Sequence, residues 1–170
     1  YFQGKLEYLR QVKEVVAVPI LRKDFIVDKW QIYQSRAAGA DAILLIAEAL
    51  KIGQLTDFLI LAGQLTMTTL IEVHEADSLL QIRSMMGFPL SRYSVIGINN
   101  RDLKTMTVDV NTCTRLAELV DDRRELVAES GIKSRDDVKK LIKAGINSVL
   151  IGETLCRSGD IKVKFSELFS

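Results

Sequence analysis

A lysine follows directly on a short apolar run near the start of the sequence. Lys23 comes after Leu21 and Arg22, at a point where we predict that a β-strand ends. Desolvation in a partly dry site disfavours the ammonium form of a lysine, so this amine could act as a general acid or form a Schiff base. The alternative is a structural ion pair with Asp24.

Two glutamates interrupt apolar runs further along the chain. Glu72 lies inside the run 70–73, and Glu129 follows the run 126–128. A carboxylate in such a place needs a partner, which could be Lys23 or a substrate, and two carboxylates in unlike surroundings can divide acid and base roles. Each glutamate could instead form a salt bridge with a neighbouring strand.

Polar and glycine-rich segments follow the later apolar runs. Asn99 could hold a carboxylate or hydroxyl of a substrate, with Arg101 as its cationic companion, although residues 100–102 could also form only a turn. Two short segments, Ser130 with Gly131 and Gly152 with Glu153, follow the last two runs.

These two glycine segments present main-chain N–H groups in neighbouring loops. If two strands precede Tyr1, the segments follow strands seven and eight of a barrel, whose loops build its common phosphate site. The alternative is that Gly131 and Gly152 only allow tight turns.

Other candidate residues are assigned no chemistry. His74 directly follows a strand and is predicted to be a loop or helix-start residue rather than a metal ligand. Trp30, Tyr33 and the pair Met85 and Met86 are predicted to pack in the core or between helices. No metal site is visible in the sequence.

Strands and helices must position these residues. Helical periodicity occurs at Leu6, Leu9, Val12 and Val16 and again at Val138, Leu141 and Ile142. Six apolar runs predict strands that are buried on both faces: 18–21, 42–47, 68–73, 94–98, 125–128 and 148–151.

Local signals mark where helices begin and end. Asp28 with Gln31, and Ser134 with Asp137, have the spacing of a capping box. The segments 36–44 and 142–150 parallel each other, and each places a glycine where a helix ends before a strand. The pattern predicts a repeated αβ unit and a parallel α/β sheet.

The placement of the polar residues favours a barrel over an open sheet. In a (β/α) barrel the chemistry lies at the carboxyl ends of several strands, and Lys23, Glu72, Asn99 and Glu129 all lie at or near such ends. An open doubly wound sheet would gather them at one switch point and begin with a Gly-rich turn. We therefore predict a TIM (β/α)8 barrel with about six of its eight βα units in this chain, as a single domain over residues 1–170.

Composition excludes several classes of protein. Lys and Arg total 23 against 22 Asp and Glu, without the basic excess of a general nucleic-acid binder. No apolar stretch approaches the roughly 18 residues of a membrane span. Cys113 and Cys156 lack metal-ligand spacing. We expect a cytoplasmic protein that binds a small molecule, with neither nucleic acid nor membrane as a partner.

Six motifs, taken together, resemble the C-terminal three-quarters of the indole-3-glycerol phosphate synthase family. They are PILRKDF at 19–25, GAD at 39–41 ahead of LLI at 44–46, LIEV at 70–73, IGINNRDL at 96–103, AESGI at 128–132 and LIGE at 150–153. The resemblance implies a (β/α)8 barrel without a cofactor. It also implies conversion of 1-(2-carboxyphenylamino)-1-deoxyribulose 5-phosphate into indole-3-glycerol phosphate, CO₂ and water in tryptophan biosynthesis.

The resemblance also implies roles for individual residues. Lys23 matches the general acid on the substrate carbonyl, Glu72 the base or iminium-stabilising carboxylate, and Asn99 and Glu129 residues that orient the substrate. The phosphate loops match Ser130, Gly131, Gly152 and Glu153. The remaining substrate-binding residues are Arg101 and the apolar Phe2, Phe25, Leu44, Leu103 and Leu150.

The family pattern is incomplete in this sequence. A second lysine and a glutamate belong to the family's first strand, upstream of Tyr1, and an eight-stranded barrel typically needs about 250 residues. We therefore expect a piece of a longer protein, which could associate with neighbouring tryptophan-pathway enzymes. Residues 1–4, YFQG, resemble a stretch that the family carries after its second strand, although the tail of a cleavable tag would look similar.

Two other functions remain open at this point. A Schiff-base aldolase acting on a sugar phosphate could use Lys23 as its nucleophile on the same barrel. Alternatively, the chain could be a barrel fragment that is inactive until the missing strands are supplied, with exposed strand edges that promote self-association.

Overall fold

The computed structural model describes residues 4–85 and 94–170. All four strand pairs for which a register is described are parallel, and the α/β prediction is confirmed. The strands are β1 (Leu21–Arg22), β2 (Ala42–Ile46), β3 (Thr68–Val73), β4 (Ser94–Asn99), β5 (Leu126–Glu129) and β6 (Ser148–Leu150).

Helices alternate with the strands along the described chain. Each of the six strands is followed by a helix, which is the repeated βα unit predicted from the apolar runs. The helices are α1 (Leu6–Val15), α2 (Lys29–Ala37), α3 (Ile52–Gln64), α4 (Ala76–Arg83), α5 (Asn111–Ala117), α6 (Arg135–Lys143), α7 (Glu153–Cys156) and α8 (Ile161–Phe169), with 3₁₀ helices at Ala47–Ala49 and Arg123–Glu125. Within residues 4–85 and 94–170, no helix combines the length and apolar character needed to cross a bilayer.

The chain divides into two compact units. The first comprises residues 4–72 with 85, 94 and 95, and the second comprises residues 73–84 and 96–170. The first has the strand order β1-β2-β3, and the second has the order β4-β5-β6. Parallel neighbours end at the same edge, so the polar residues that follow the strands gather at one edge within each unit.

The first strand is shorter than its apolar run predicts. Ile20 donates its main-chain N–H to the carboxylate of Asp41 at 2.8 Å, and Pro19 has no N–H to donate. Neither residue can therefore donate to a strand ladder. The ladder begins at Leu21, which is in register with Ala42 of β2.

Both predicted capping boxes are present. Asp28 accepts a hydrogen bond from Trp30 N at 2.7 Å, and Gln31 Oε1 accepts one from Asp28 N at 3.0 Å. Ser134 and Asp137 exchange the equivalent pair at the start of α6. These bonds satisfy N–H groups that the first helical turn leaves without partners.

The two predicted helix-ending glycines adopt the left-handed conformation. Gly39 has φ +91° and Gly145 has φ +81°, and each follows a helix and precedes a strand. Glycine takes this conformation without the steric cost that a Cβ imposes. The predicted repeat of one αβ unit is therefore confirmed at the level of the backbone.

Burial of the strands is uneven. Ile43, Leu45 and Ile71 are fully buried in the first unit, and Ile98 and Leu126 are fully buried in the second. In β6, by contrast, no residue is fully buried, so the prediction that every strand is covered on both faces is wrong for this strand. Within the described residues, β5 is the one strand that pairs with β6, so no strand flanks the side chains of β6 on its other edge.

Some residues predicted to pack inside are at the surface. Trp30 is 68% exposed and Tyr33 is 49% exposed, because Ile32 and Ser35 form the buried face of α2 and a helix of 3.6 residues per turn turns Trp30 and Tyr33 away from it. The prediction that Trp30 and Tyr33 pack in the core or between helices is therefore wrong. In α6, Val138 and Leu141 of the predicted helical pattern are buried and Ile142 is 58% exposed.

The first predicted helical face also differs from expectation. The helix α1 forms but ends at Val15, and none of its residues is fully buried. Val12 and Val16 remain exposed. Met85 is partly buried, and Met86 and Phe2 lie outside the described residues.

Candidate active site

A lysine and a buried carboxylate form an ion pair in the first unit. Lys23 directly follows β1 and Glu72 lies in β3, and Lys23 Nζ is 3.0 Å from Glu72 Oε2. The side chain of Glu72 is 3% exposed, whereas that of Lys23 is 40% exposed. The carboxylate of the pair is therefore shielded from solvent, whereas a ligand can reach the lysine.

The segment that carries Lys23 is anchored by Arg22. Arg22 donates to Gln31 O, Gln34 Oε1 and Ser35 Oγ of α2, each at 3.1 Å. It also pairs with Asp24 at 3.0 Å. A buried guanidinium needs several acceptors, and here they hold the residues on both sides of Lys23, so the lysine projects from a fixed backbone.

Two predicted apolar contacts of the first unit differ in accessibility. Phe25 is 52% exposed and lies two residues after Lys23, whereas Leu44 is 2% exposed in β2. Phe25 can therefore meet a ligand, while Leu44 is covered by protein. The third residue in this group, Phe2, lies outside the described residues.

Two buried polar residues end neighbouring strands in the second unit. Asn99 of β4 and Glu129 of β5 are in register, with exposures of 4% and 0%. Asn99 Oδ1 accepts a hydrogen bond from Arg101 N at 2.9 Å. Asn99 is therefore fixed by the first turn of its own loop, beside a carboxylate.

Arg101, which lies in the loop after β4, and Glu153, which follows Gly152, form an ion pair. Arg101 Nη2 lies 2.6 Å from Glu153 Oε2, and Arg157 pairs with the same carboxylate at 3.2 Å. A carboxylate repels a phosphate, so any contribution of Glu153 to phosphate binding must come from its main chain. The side chain instead holds Arg101 beside the loop that follows β6.

The loop after β5 has a strained backbone. Ser130 has φ +65° and Gly131 has φ +75°. A Cβ on Gly131 would lie 2.5 Å from Cγ1 of Val108, so glycine is required there on two counts. A left-handed serine is uncommon and is held by its surroundings.

The loop after β6 differs from the loop after β5. Gly152 has φ −112°, which any residue can adopt, and a Cβ there would meet nothing within 4 Å. The alternative that these glycines only allow tight turns therefore accounts for Gly131. It does not account for Gly152, whose main chain is open to the space around it. Thr154 Oγ1 donates to Ile132 O at 2.7 Å and ties the two loops together.

The turn after β4 lies at residues 103–105 and not over residues 100–102, where the alternative placed it. Asp102 accepts hydrogen bonds from Lys104 N at 2.7 Å and Thr105 N at 3.3 Å, and these bonds, led by that from Lys104, lower the pKa of the Asp102 carboxyl. Leu103 is 39% exposed on this turn. The turn and a substrate contact are therefore compatible.

His74 lies in the loop between β3 and α4, as predicted. Its Nδ1 is 2.8 Å from the main-chain oxygen of Asn99, and its Nε2 is 3.9 Å from Asp102 Oδ2. This link to the loop after β4 was missed from the sequence, and its position directly after a strand was the available signal. In the described part of the chain, no group of three or more His, Cys, Asp or Glu is arranged to hold a metal ion.

The last predicted apolar residue ends β6. Leu150 is in register with Glu129 and is partly buried. The two units thus each gather predicted site residues at the carboxyl edge of their strands: Lys23 and Glu72 in the first, and Asn99, Arg101, Glu129, Ser130, Gly131, Gly152 and Glu153 in the second.

Repeated βα units define an α/β protein, and each of its two units has candidate site residues at the carboxyl edge of its strands. A family model described as indole-3-glycerol phosphate synthase matches residues 1–168. The chain belongs to the indole-3-glycerol phosphate synthase family. Because the match begins at residue 1, the stretch 1–4 lies within the matched region.

Curated relatives and a solved structure are similar to the chain. An indole-3-glycerol phosphate synthase of Rhodopirellula baltica is 45% identical over 170 residues, covering 100% of this chain and 63% of that protein. One of Neisseria gonorrhoeae is 44% identical over 169 residues, covering 99% and 62%. The chain thus spans under two thirds of their length.

Among solved structures, a mutant tryptophan synthase alpha-subunit of Pyrococcus furiosus matches with a TM-score of 0.66. The identity is 16%, and the match covers 96% of this chain and 71% of that chain. At this identity, the likeness shows a shared fold alone.

Proposed function

We propose that the protein is an indole-3-glycerol phosphate synthase, acting on 1-(2-carboxyphenylamino)-1-deoxyribulose 5-phosphate. The observation that carries this proposal is the pair of Lys23 and the buried Glu72, 3.0 Å apart, in a chain of this family. The pair offers a proton donor and a fixed negative charge. Ring closure with decarboxylation needs both.

In the first step, a ring carbon attacks the substrate carbonyl. Lys23 donates a proton to the carbonyl oxygen, so the new carbon–carbon bond forms without a free alkoxide. The ring supplies the electron pair of the new bond, and the lone pair of the nitrogen replaces it, so that the nitrogen becomes an iminium. The negative charge of Glu72 stabilises this cation in a dry site.

The next steps release two small molecules. Loss of CO₂ returns the electron pair of the broken carbon–carbon bond to the iminium nitrogen. The new hydroxyl then leaves as water after accepting a proton, and loss of a ring proton completes the indole. Asn99 and Glu129 orient the polar groups of the substrate during these steps, and no cofactor is required.

The phosphate group is assigned to the two neighbouring loops of the second unit. Main-chain N–H groups near Gly131 and Gly152 offer donors for a phosphate, and the open space at Gly152 supports the assignment. The anthranilate ring is assigned to the apolar Phe25, Leu103 and Leu150, and also to Phe2. Leu44 is buried, so its contribution is to support the surrounding residues rather than to contact the ring.

We further propose that the six βα units are part of a single (β/α)8 barrel domain. The support is the strand order within each unit and the greater length of the relatives. Two more units, carrying the family's second lysine and a glutamate, would complete the site.

The setting and the partners follow from the proposed reaction. We propose a cytoplasmic enzyme, because amino-acid biosynthesis uses soluble metabolites. Association with neighbouring tryptophan-pathway enzymes is proposed on the same ground.

The test is product formation by the protein at its natural length. The carboxyphenylamino substrate is added, and indole fluorescence and CO₂ release are followed together. We expect both to rise in equal amounts. Absence of both would contradict the proposed function.

The aldolase alternative makes a different prediction. A Schiff base would join Lys23 covalently to the substrate, whereas a general acid only exchanges a proton with it. Borohydride treatment with a keto-sugar phosphate should therefore leave Lys23 unmodified. A reduced adduct on Lys23, found by peptide mass spectrometry, would favour the aldolase.

A further inference from the structure

One buried asparagine connects three segments of the second unit. Asn100 is 1% exposed, and its main chain donates to Glu129 O and accepts from Asp109 N, both at 2.9 Å. Its side-chain Nδ2 donates to Ser130 O at 3.0 Å, and its Oδ1 accepts from Cys113 N at 2.9 Å. The residue thus ties the end of β4 to the loop after β5 and to the start of α5.

The Ser130 carbonyl belongs to the strained part of that loop. Ser130 and Gly131 both have positive φ, +65° and +75°. A non-glycine residue keeps this conformation only where its surroundings over-determine it. The amide of Asn100 supplies such a restraint, because it binds the carbonyl of the strained residue itself.

The packing around Gly131 leaves no room for a side chain. A Cβ on Gly131 would lie 2.5 Å from Val108 Cγ1, 3.1 Å from Val110 Cγ1 and 4.0 Å from the Cβ of Asn100. The loop after β5 therefore rests against the loop after β4, and Asn100 lies at their junction. A shift of either loop would change the direction of the main-chain N–H groups of residues 130 and 131.

We propose that Asn100 is a positioning residue for the phosphate-binding main chain of Ser130 and Gly131. The inference rests on the proposed function. A carboxamide is suited to this place because it donates to Ser130 O and accepts from Cys113 N at once. A carboxylate accepts but cannot donate, and serine is too short to reach both partners.

The first test removes the hydrogen-bond donor of the Asn100 side chain and keeps its acceptor. Asn100→Asp places a carboxylate against the carbonyl of Ser130 while the bond from Cys113 N can remain. In the protein at its natural length, we expect the KM for the phosphorylated substrate and the Kd for inorganic phosphate to rise about tenfold, with kcat within about threefold of the parent value. An unchanged KM and Kd would overturn the inference.

Acidification gives a readout that a purely structural role would not move. A protonated carboxyl at position 100 can again donate to Ser130 O. We therefore expect the phosphate Kd of Asn100→Asp to approach that of the parent as the pH falls. A ratio of the two Kd values that stays constant with pH would contradict the proposal.

Two further variants complete the design. Asn147→Asp makes the same chemical change at an exposed residue in the loop before β6, and it should leave KM and Kd unchanged. If Asn100→Asp fails to fold, Asn100→Ser takes its place, because it removes the contact with Ser130 without adding charge. The same rise in KM and Kd is expected, and parent-like values would overturn the proposal.

Failure of this inference can be told apart from failure of the proposed function. If the parent protein forms no indole-3-glycerol phosphate, the proposed function fails. The Kd for inorganic phosphate and its pH dependence then still test the role of Asn100. If the parent is active and Asn100→Asp alters neither KM nor Kd, the inference alone fails.

Discussion

The carboxylate of Glu72 is almost completely removed from water and lies 3.0 Å from the ammonium of Lys23. Burial of a carboxylate is costly unless charged or hydrogen-bonding partners offset it. Lys23 is one such partner of Glu72, and its own side chain is 40% exposed. We propose that this contact serves both the fold and the chemistry.

The two glycines of the candidate phosphate loops should respond differently to an added methyl group. Gly131→Ala should lower the free energy of unfolding by about 3 kcal/mol, because φ is +75° and the new Cβ meets Val108. Gly152→Ala should change it by less than about 0.5 kcal/mol, because φ is −112° and the space is open. Urea unfolding measures both.

The same pair separates folding from binding. Gly152→Ala should raise the KM for the phosphorylated substrate although it leaves stability unchanged, because the methyl group enters the space assigned to phosphate. Equal KM values for Gly152→Ala and the parent would argue against phosphate binding at this loop.

The two cysteines should differ in reactivity. Burial, with a smaller effect of the nearby charge of Glu129, raises the pKa of the Cys113 thiol to about 12, whereas Cys156 is exposed. At pH 8, a thiol-reactive disulfide reagent should label Cys156 but not Cys113 in the folded protein, and both residues after denaturation, as read by peptide mass spectrometry. Rapid reaction of both in the folded state would contradict the burial of Cys113.

At the scale of the elements, Asp41 joins α1 to the strands of the first unit. Its carboxylate accepts from Lys13 Nζ at 2.7 Å and from Ile20 N at 2.8 Å, and these bonds, led by that from Lys13, lower the pKa of the Asp41 carboxyl. A lowered pKa in the folded state means that this stabilisation is present above about pH 4 and is lost as the pH falls through the lower, folded-state pKa.

Asp41→Asn should therefore make the free energy of unfolding depend less on pH in the acid range. We expect a loss of about 1 kcal/mol at pH 7 that shrinks toward zero at low pH, measured by urea unfolding between pH 7 and pH 2. Asp57→Asn is the control, since Asp57 and its partner Lys29 are both 57% exposed. A constant difference between Asp41→Asn and the parent across this range would refute the assignment.

Elements with local signals could be predicted from the sequence. The capping boxes at Asp28 and Ser134 and the left-handed Gly39 depend on neighbours within a few residues, so their spacing is sufficient. The strands were also found, because runs of branched apolar residues are typical of buried parallel strands. The face of α2 was not, since Trp30 and Tyr33 are apolar in type but lie opposite Ile32.

Contacts between distant residues could not be predicted in the same way. Arg101 and Glu153 are 52 positions apart, and no local pattern in either segment indicates that they pair. Asn100 was predicted only as part of a turn, because its buried hydrogen bonds depend on where β5 and α5 lie. The pair of Lys23 and Glu72 was one of the alternatives considered, because parallel strands end at the same edge of a sheet.

At the scale of the whole molecule, β6 and the groove beside it have apolar residues without full cover. No residue of β6 is fully buried, and a groove next to it is lined by Val138, Leu141, Ile142, Ile146, Asn147, Val149 and Phe169. The (β/α)8 proposal supplies a cover for this surface, because a closed barrel has no free edge.

Amide hydrogen exchange tests this expectation. The main-chain amides of residues 148–150 should exchange at least about tenfold more slowly in the protein at its natural length than in a polypeptide of residues 1–170, because a strand paired on both sides opens less often. Residues 43–45 of β2 serve as the internal control. Equal exchange at 148–150 in the two proteins would contradict barrel closure at β6.

The most direct test of the central claim is the rate of indole-3-glycerol phosphate formation by Lys23→Met in the protein at its natural length. Lys29→Met, which removes an exposed lysine, is the matched control. Loss of a positioned general acid should lower kcat by about 10²- to 10⁴-fold, with folding confirmed by circular dichroism and with Lys29→Met at the parent rate. A folded Lys23→Met protein that keeps the parent kcat would contradict the account.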